Sequence, residues 1–238
     1  MKQRIFSRQS LLLVVLGAIG ISQLWFSDSG LAELAELAGV SVDNLKIAQM
    51  MQLLVLVMVA TFTGTITSKT TGFALRTKTK LAEANRDWIV AAVLAGSLLT
   101  GYNLLVSSVF PLLDDAPYKG QLALAVLYGG LTEEILMRWG VMGFIAYLLI
   151  RIFRRTDGKT GDLVAWTSVA AAMLFAVGHF PALMAMGSAE PVHFYLVFTA
   201  NTLAGVLFGW VFAKHGLIYA MAAHGSTHLI AAAALMLL

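Results

Sequence analysis

The sequence contains no cysteine, which excludes disulfide scaffolds, cysteine–zinc sites, iron–sulfur clusters and thiol nucleophiles. Charge is scarce as well. Only 12% of the 238 residues are Asp, Glu, Lys or Arg, against about 25% in a soluble domain. So few ionisable groups do not cover the surface of a water-soluble chain of this length, and disorder is excluded on the same ground. The formal net charge is only +3, and the basic residues form no stripe suited to nucleic acid. No nucleic-acid partner is expected. What fills the chain is apolar: 59% hydrophobic residues and a mean hydropathy of +0.81. Such a balance describes an integral membrane protein, with the lipid bilayer as its first partner.

A helix needs about 20 apolar residues to cross a bilayer core. Charge-free runs predict about seven spans, near 10–26, 48–67, 88–111, 121–150, 163–187, 192–213 and 216–238. The fold class expected is therefore all-α, a polytopic transmembrane helix bundle. The fourth run is long, and Gly129-Gly130 is a place where it could break or bend. The first run, behind Lys2, Arg4 and Arg8, also has the length of a signal peptide. Ser27-Asp28-Ser29-Gly30 is a weak cleavage site, and an uncleaved anchor is expected.

Sidedness follows the positive charges. With the N-terminus cytoplasmic, thirteen Lys and Arg fall on the inner side and only Lys46 and Lys119 on the outer. The compact chain with its short loops suits a prokaryotic plasma membrane. Leu31, Leu34 and Leu37, spaced with Glu33 and Glu36, predict a short amphipathic helix at the outer interface. No proline-rich linker or second domain is visible. The chain reads as one integrated membrane domain, with N-terminal spans over 1–119 and a core carrying the chemistry over 120–238.

Charge inside the membrane is confined to one stretch, Glu133-Glu134-Ile135-Leu136-Met137-Arg138. Each such residue at a helix centre costs roughly 2.5–3.5 kcal/mol, so three together demand a reason. Glu134 and Arg138, at i and i+4, share a helix face and suit a buried ion pair that locks packing. Glu133 is rotated by about 100° in an α-helix and needs a polar partner of its own from another span.

Histidines are the candidates. His193 and His215 fall at expected span edges, where an imidazole needs no special explanation. His179, His224 and His228 fall inside the fifth and seventh runs, and the last two share a face. Counted from the span midpoints, Glu133 and these three histidines lie within roughly 6 Å of one depth. One site is permitted.

Glu133-Glu134 with Arg138 spells EExxxR, Phe175 with His179 spells FxxxH, and His224 opens a motif ending at position 228. Their order, on three hydrophobic runs over residues 120–238, resembles the CAAX protease and bacteriocin-processing family, which includes the Ras-converting type II prenyl endopeptidase. The resemblance implies an intramembrane glutamic endopeptidase acting on a membrane-associated protein or peptide, including prenylated CAAX-type tails. It implies that Glu133 activates water, that His179 orients the water or stabilises the intermediate, and that His224 and residue 228 form an oxyanion pocket. Glu134, Arg138 and Phe175 would support them.

One position departs from the family pattern. The last residue is usually Asn or Asp, and here it is His228. An imidazole donates to an oxyanion as an amide does. Yet Glu133, His179, His224 and His228 would also suit Zn²⁺; the resemblance favours no metal cofactor. Two other function classes fit the same charges: a non-catalytic immunity or scaffold protein, and a proton or ion carrier. Gly205 and Gly209, four apart beside Asn201, read as a helix contact. Met137, Met142, Phe144 and Met173 read as bundle packing.

Overall fold

The computed structural model describes residues 7–27, 31–109, 121–154, 161–185 and 190–237. Several residues used above lie outside these: Lys2 and Arg4, the cleavage-site positions 28–30, Lys119 with the 119/120 boundary, and Arg155 and Lys159. Every described regular element is helical. Among the described residues, seven helices are long and apolar enough to cross a membrane: Arg8–Phe26, Val42–Thr71, Leu81–Leu105, Leu122–Ile152, Gly161–Met184, Pro191–His215 and Leu217–Leu237. The chain is a multi-pass membrane protein. A short helix, Leu31–Ala38, stands where the leucine spacing predicts one and packs on the second span.

The fourth span is the hub, touching the first, second, fifth and seventh. It is tied in by buried polar contacts that apolar packing alone would not orient. The Thr132 hydroxyl donates to the Gly17 carbonyl of the first span at 3.0 Å. The Trp139 indole donates to the Thr61 carbonyl of the second span at 3.2 Å. Apolar contacts between helices gain little in lipid, so directional contacts of this kind fix orientation.

The glycine pair does not break this helix. Instead the backbone between Ala125 and Met142 is wound as π-helix on either side of Glu134, a form found mostly as short insertions at functional sites. Gly130 lies directly on Gly225 of the seventh span. A Cβ on Gly130 would stand 3.1 Å from the Gly225 Cα, so the absence of both side chains sets the closeness of the crossing.

Gly205 and Gly209 face Ala172 and Ser168 of the fifth span, as a helix contact should. Asn201 turns back on its own helix, donating to the Val197 carbonyl at 2.9 Å.

The sixth and seventh spans are joined by a single residue, Gly216, at φ +106°. The extended segment after the second span pairs with this turn. Thr77 N–H donates to the His215 carbonyl at 2.9 Å, while Leu217 and Ile218 N–H donate to the carbonyls of Ala74 and Leu75, both at 3.1 Å. A Cβ on Gly216 would lie 2.6 Å from the Leu75 carbonyl oxygen. Gly216→Ala is therefore expected to cost about 1–3 kcal/mol and to lower the melting temperature by roughly 2–10 °C, read by thermal unfolding in detergent.

Three side chains expected at loops or span edges are buried, and of these His193 and His215 do stand at the two ends of the sixth span. Lys46 belongs to the second span and donates to the Trp25 carbonyl at 2.9 Å. His193 and His215 are enclosed as well. Run length marks where charge-free sequence stops, and the second and sixth spans extend past that point, to Val42 and to His215, which carries Lys46 and His215 into the helices.

Candidate functional site

The fourth, fifth and seventh spans bring the intramembrane residues together, with the sixth closing one side. The two adjacent glutamates divide sharply. The Glu134 side chain is sealed from solvent, whereas that of Glu133 is 18% exposed. Glu134 contacts Arg138 (Oε2 to Nε, 3.4 Å), an ion contact outside hydrogen-bond geometry. Its other oxygen, Oε1, accepts from His224 Nδ1 at 2.9 Å.

Glu133 does not find a separate partner. Its Oε2 lies 3.8 Å from Nε2 of the same His224. The histidine thus has one carboxylate on each ring nitrogen. Two consecutive residues flank one imidazole because the seventh span crosses so near the π-wound segment.

Tautomers follow from these partners. A carboxylate accepts, so Glu134 holds the proton on His224 Nδ1 and leaves Nε2 facing Glu133. His179 closes the Gly161–Gly178 helix, and its Nδ1 donates to the Phe175 carbonyl at 2.9 Å. In the neutral ring, its Nε2 is then the free acceptor.

Aromatic contacts fix the rings. Phe175 meets His179 edge-on at 4.5 Å and His224 at 6.0 Å. His228 stacks on His224 at 5.3 Å. Phe208 of the sixth span stacks on the other face of the set, 4.6 Å from His224 and 19° from parallel. Arg138 lies between Phe175 and Phe208, with Cζ 5.3 and 5.6 Å from their centroids, and Nη2 donates to the Gly205 carbonyl at 3.1 Å. Phe208 was not legible as a site residue, since one phenylalanine in an apolar run carries no contrast.

A second polar cluster lies at the other end of the seventh span's first turns. Asp87 accepts from His215 Nε2 at 2.9 Å and from Lys214 Nζ at 2.8 Å, and Lys214 also reaches Glu83 at 3.0 Å. Among the described residues, Glu83, Asp87 and His215 are the group whose ligand atoms all lie within 4.8 Å of one another. The Lys214 ammonium already occupies the cation's place there. Thr79 and His215 Nδ1 are 3.1 Å apart, so the cluster binds the 72–80 segment to the turn.

Glu133, His179, His224 and His228 do not form a group of that closeness. Zinc ligands stand about 2.0–2.2 Å from the metal; the Nδ1 bonds of His179 to Phe175 and of His224 to Glu134 leave Nε2 of each ring available, as in metal-bound imidazoles. As placed, the four donors of the zinc alternative stand too far apart to hold one ion together. A cavity lined by Gln23, Phe26, Ser27, Gln121, Ala123 and Leu124 opens elsewhere, near the start of the fourth span.

Residues 117–230 match the family model described as Type II CAAX prenyl endopeptidase Rce1-like. No curated protein and no solved structure matches the chain.

Proposed function

The chain belongs, through residues 117–230, to the type II CAAX prenyl endopeptidase Rce1-like family, and on that premise we propose that it is an intramembrane endopeptidase using glutamate-activated water. Its substrate is a membrane-associated protein or peptide, with prenylated CAAX-type tails as one class, and its location is a prokaryotic plasma membrane with the N-terminus cytoplasmic. The catalytic core is the 120–238 portion, supported by the spans before it.

The observation that carries this reading is the division of labour in the glutamate doublet. Glu134 is spent on Arg138 and His224, whereas Glu133 is accessible and has its carboxylate 3.8 Å from an imidazole nitrogen. A pair serving only to lock packing accounts for Glu134 and leaves Glu133 without a purpose.

In the proposed reaction Glu133 takes a proton from water, and the hydroxide adds to the scissile carbonyl. The imidazolium form of His224, with Nδ1 held by Glu134, donates from Nε2 to the developing oxyanion together with His228. His179, with Nε2 free, orients the water. Glu133 then delivers its proton to the leaving amine as the carbon–nitrogen bond breaks, which returns the carboxylate. No step is routed through a metal.

The test compares termini of membrane proteins by mass spectrometry in cells expressing wild-type protein or Glu133→Gln at matched abundance. New termini seen only with the wild type, reproduced by purified protein in EDTA, are expected. Identical termini at good coverage would favour the scaffold reading. Loss of cleavage in EDTA with recovery on added zinc would restore the metal.

A further inference from the structure

The two adjacent glycines of the fourth span face different surroundings. Gly130 lies against backbone: a Cβ there would meet Gly225 Cα at 3.1 Å, Gly225 N at 3.2 Å and the Met221 carbonyl oxygen at 3.2 Å. Gly129 faces no backbone within that range. A Cβ there would meet His228 Nε2 at 3.1 Å, His224 Nε2 at 3.2 Å and His228 Cδ2 at 3.4 Å. All three nearest atoms belong to the two imidazoles.

That point in space has a chemical meaning. Donors to an oxyanion stand about 2.7–3.1 Å from the oxygen, and N–H···O bonds run to about 3.2 Å. An atom placed where the Gly129 Cβ would be is therefore within or close to hydrogen-bond range of both Nε2 atoms at once. One turn further along the same helix is Glu133, whose Oε2 is 3.8 Å from His224 Nε2.

We propose that Gly129 is a further residue of the site, whose missing side chain keeps open the position taken by the scissile carbonyl oxygen between His224 and His228. The inference rests on the endopeptidase reading above and deepens it. Gly129 touches no reacting group through a side chain. It acts by clearance, so it is a positioning residue.

A methyl group at Gly129 would occupy the oxygen's place. The neighbours that must yield are imidazole tips already held by stacking, His224 by Phe208 and His228 by His224. In a helix interior, Gly→Ala itself gains about 1 kcal/mol in propensity, so the substitution does not weaken the fold as Gly130→Ala does against backbone. Replacing His228 by the shorter Asn withdraws the nearest atom, so that the carbonyl oxygen can stand beside the methyl group on the vacated side.

The experiment uses the full-length protein in liposomes with a substrate that the wild type cleaves and Glu133→Gln does not. Cleavage by Gly129→Ala is expected to fall at least 100-fold in kcat, with KM within about threefold and a melting temperature no lower than wild type. Gly129→Ala/His228→Asn is expected to regain at least tenfold over Gly129→Ala, although His228→Asn alone gives no gain. Gly130→Ala is expected to lower the melting temperature. Wild-type kcat in Gly129→Ala overturns the proposal. So does a fall in kcat that follows lost stability and is not relieved by His228→Asn. If the wild type cleaves no membrane-protein substrate while Gly129→Ala folds normally, the endopeptidase reading falls and takes this one with it.

Discussion

Glu133→Gln is expected to lower the cleavage rate by about 10²–10⁴-fold, the range removed with a general base, while leaving the protein folded and inserted. The isosteric amide keeps the size and the hydrogen-bonding edge of the side chain but takes no proton from water. Little stability should be lost, because Glu133 is partly exposed and its carboxylate stands 3.8 Å from His224 Nε2, beyond hydrogen-bond range. Rate measurements on purified protein, paired with melting curves, check both halves. A large drop in melting temperature with Glu133→Gln would mean that the residue serves packing. An unchanged rate would mean that water is activated elsewhere.

The neighbouring glutamate should behave in the opposite way. Glu134→Ala leaves the Arg138 guanidinium enclosed with the Gly205 carbonyl as its hydrogen-bond partner and without its counter-charge. Removing one partner of a buried pair typically costs about 3–5 kcal/mol, enough to reduce accumulation in the membrane sharply. Removing both charges is another matter. Buried pairs replaced by apolar residues of similar volume are often neutral or better, so Glu134→Leu/Arg138→Met is expected to recover more than half of the lost stability. It should not recover cleavage, since His224 Nδ1 has lost the carboxylate that fixes its tautomer. Recovery of both stability and cleavage would show that Glu134 has no part in positioning His224.

Some of this was legible in the residues themselves. The seven spans follow from where charge is missing, because desolvation in a bilayer punishes each misplaced charge by kilocalories. The same penalty made Glu133, Glu134 and Arg138 stand out, and equal depth brought three histidines into consideration. What could not be seen was winding. Hydropathy registers how long a segment is apolar and says nothing of how many residues make a turn, so the π-wound stretch from Ala125 to Met142 left no trace. A regular α-helix would send successive glutamates about 100° apart, which is why separate partners were expected for them. The site contacts of Phe208, and of Gly129, which stood out only as a possible break, were hidden for a related reason. Each matters through what crosses it from another helix, and neither differs locally from ordinary packing residues. His215 was read as an interfacial ring because its partner, Asp87, lies 128 positions away.

The turn at Gly216 has a mechanical consequence. The seventh helix is clamped at its beginning, by the backbone bonds of residues 74–77 and by the Asp87 cluster, and it is held again where Gly225 meets Gly130 and where Ile230 meets Gly96, so that only its last turns stand clear. Deflection of a beam held in this way is least between its supports and grows past the last of them. His224 sits two turns from the fixture and His228 three, at about 1.5 Å per residue. The imidazoles are thus mounted on the stiff part of the lever, and the compliant part lies beyond them. Amide hydrogen exchange should fall off in protection from Leu217 towards Met236, and loosening the fixture at Gly216 should be felt at the histidines as a change of aim before it is felt as unfolding.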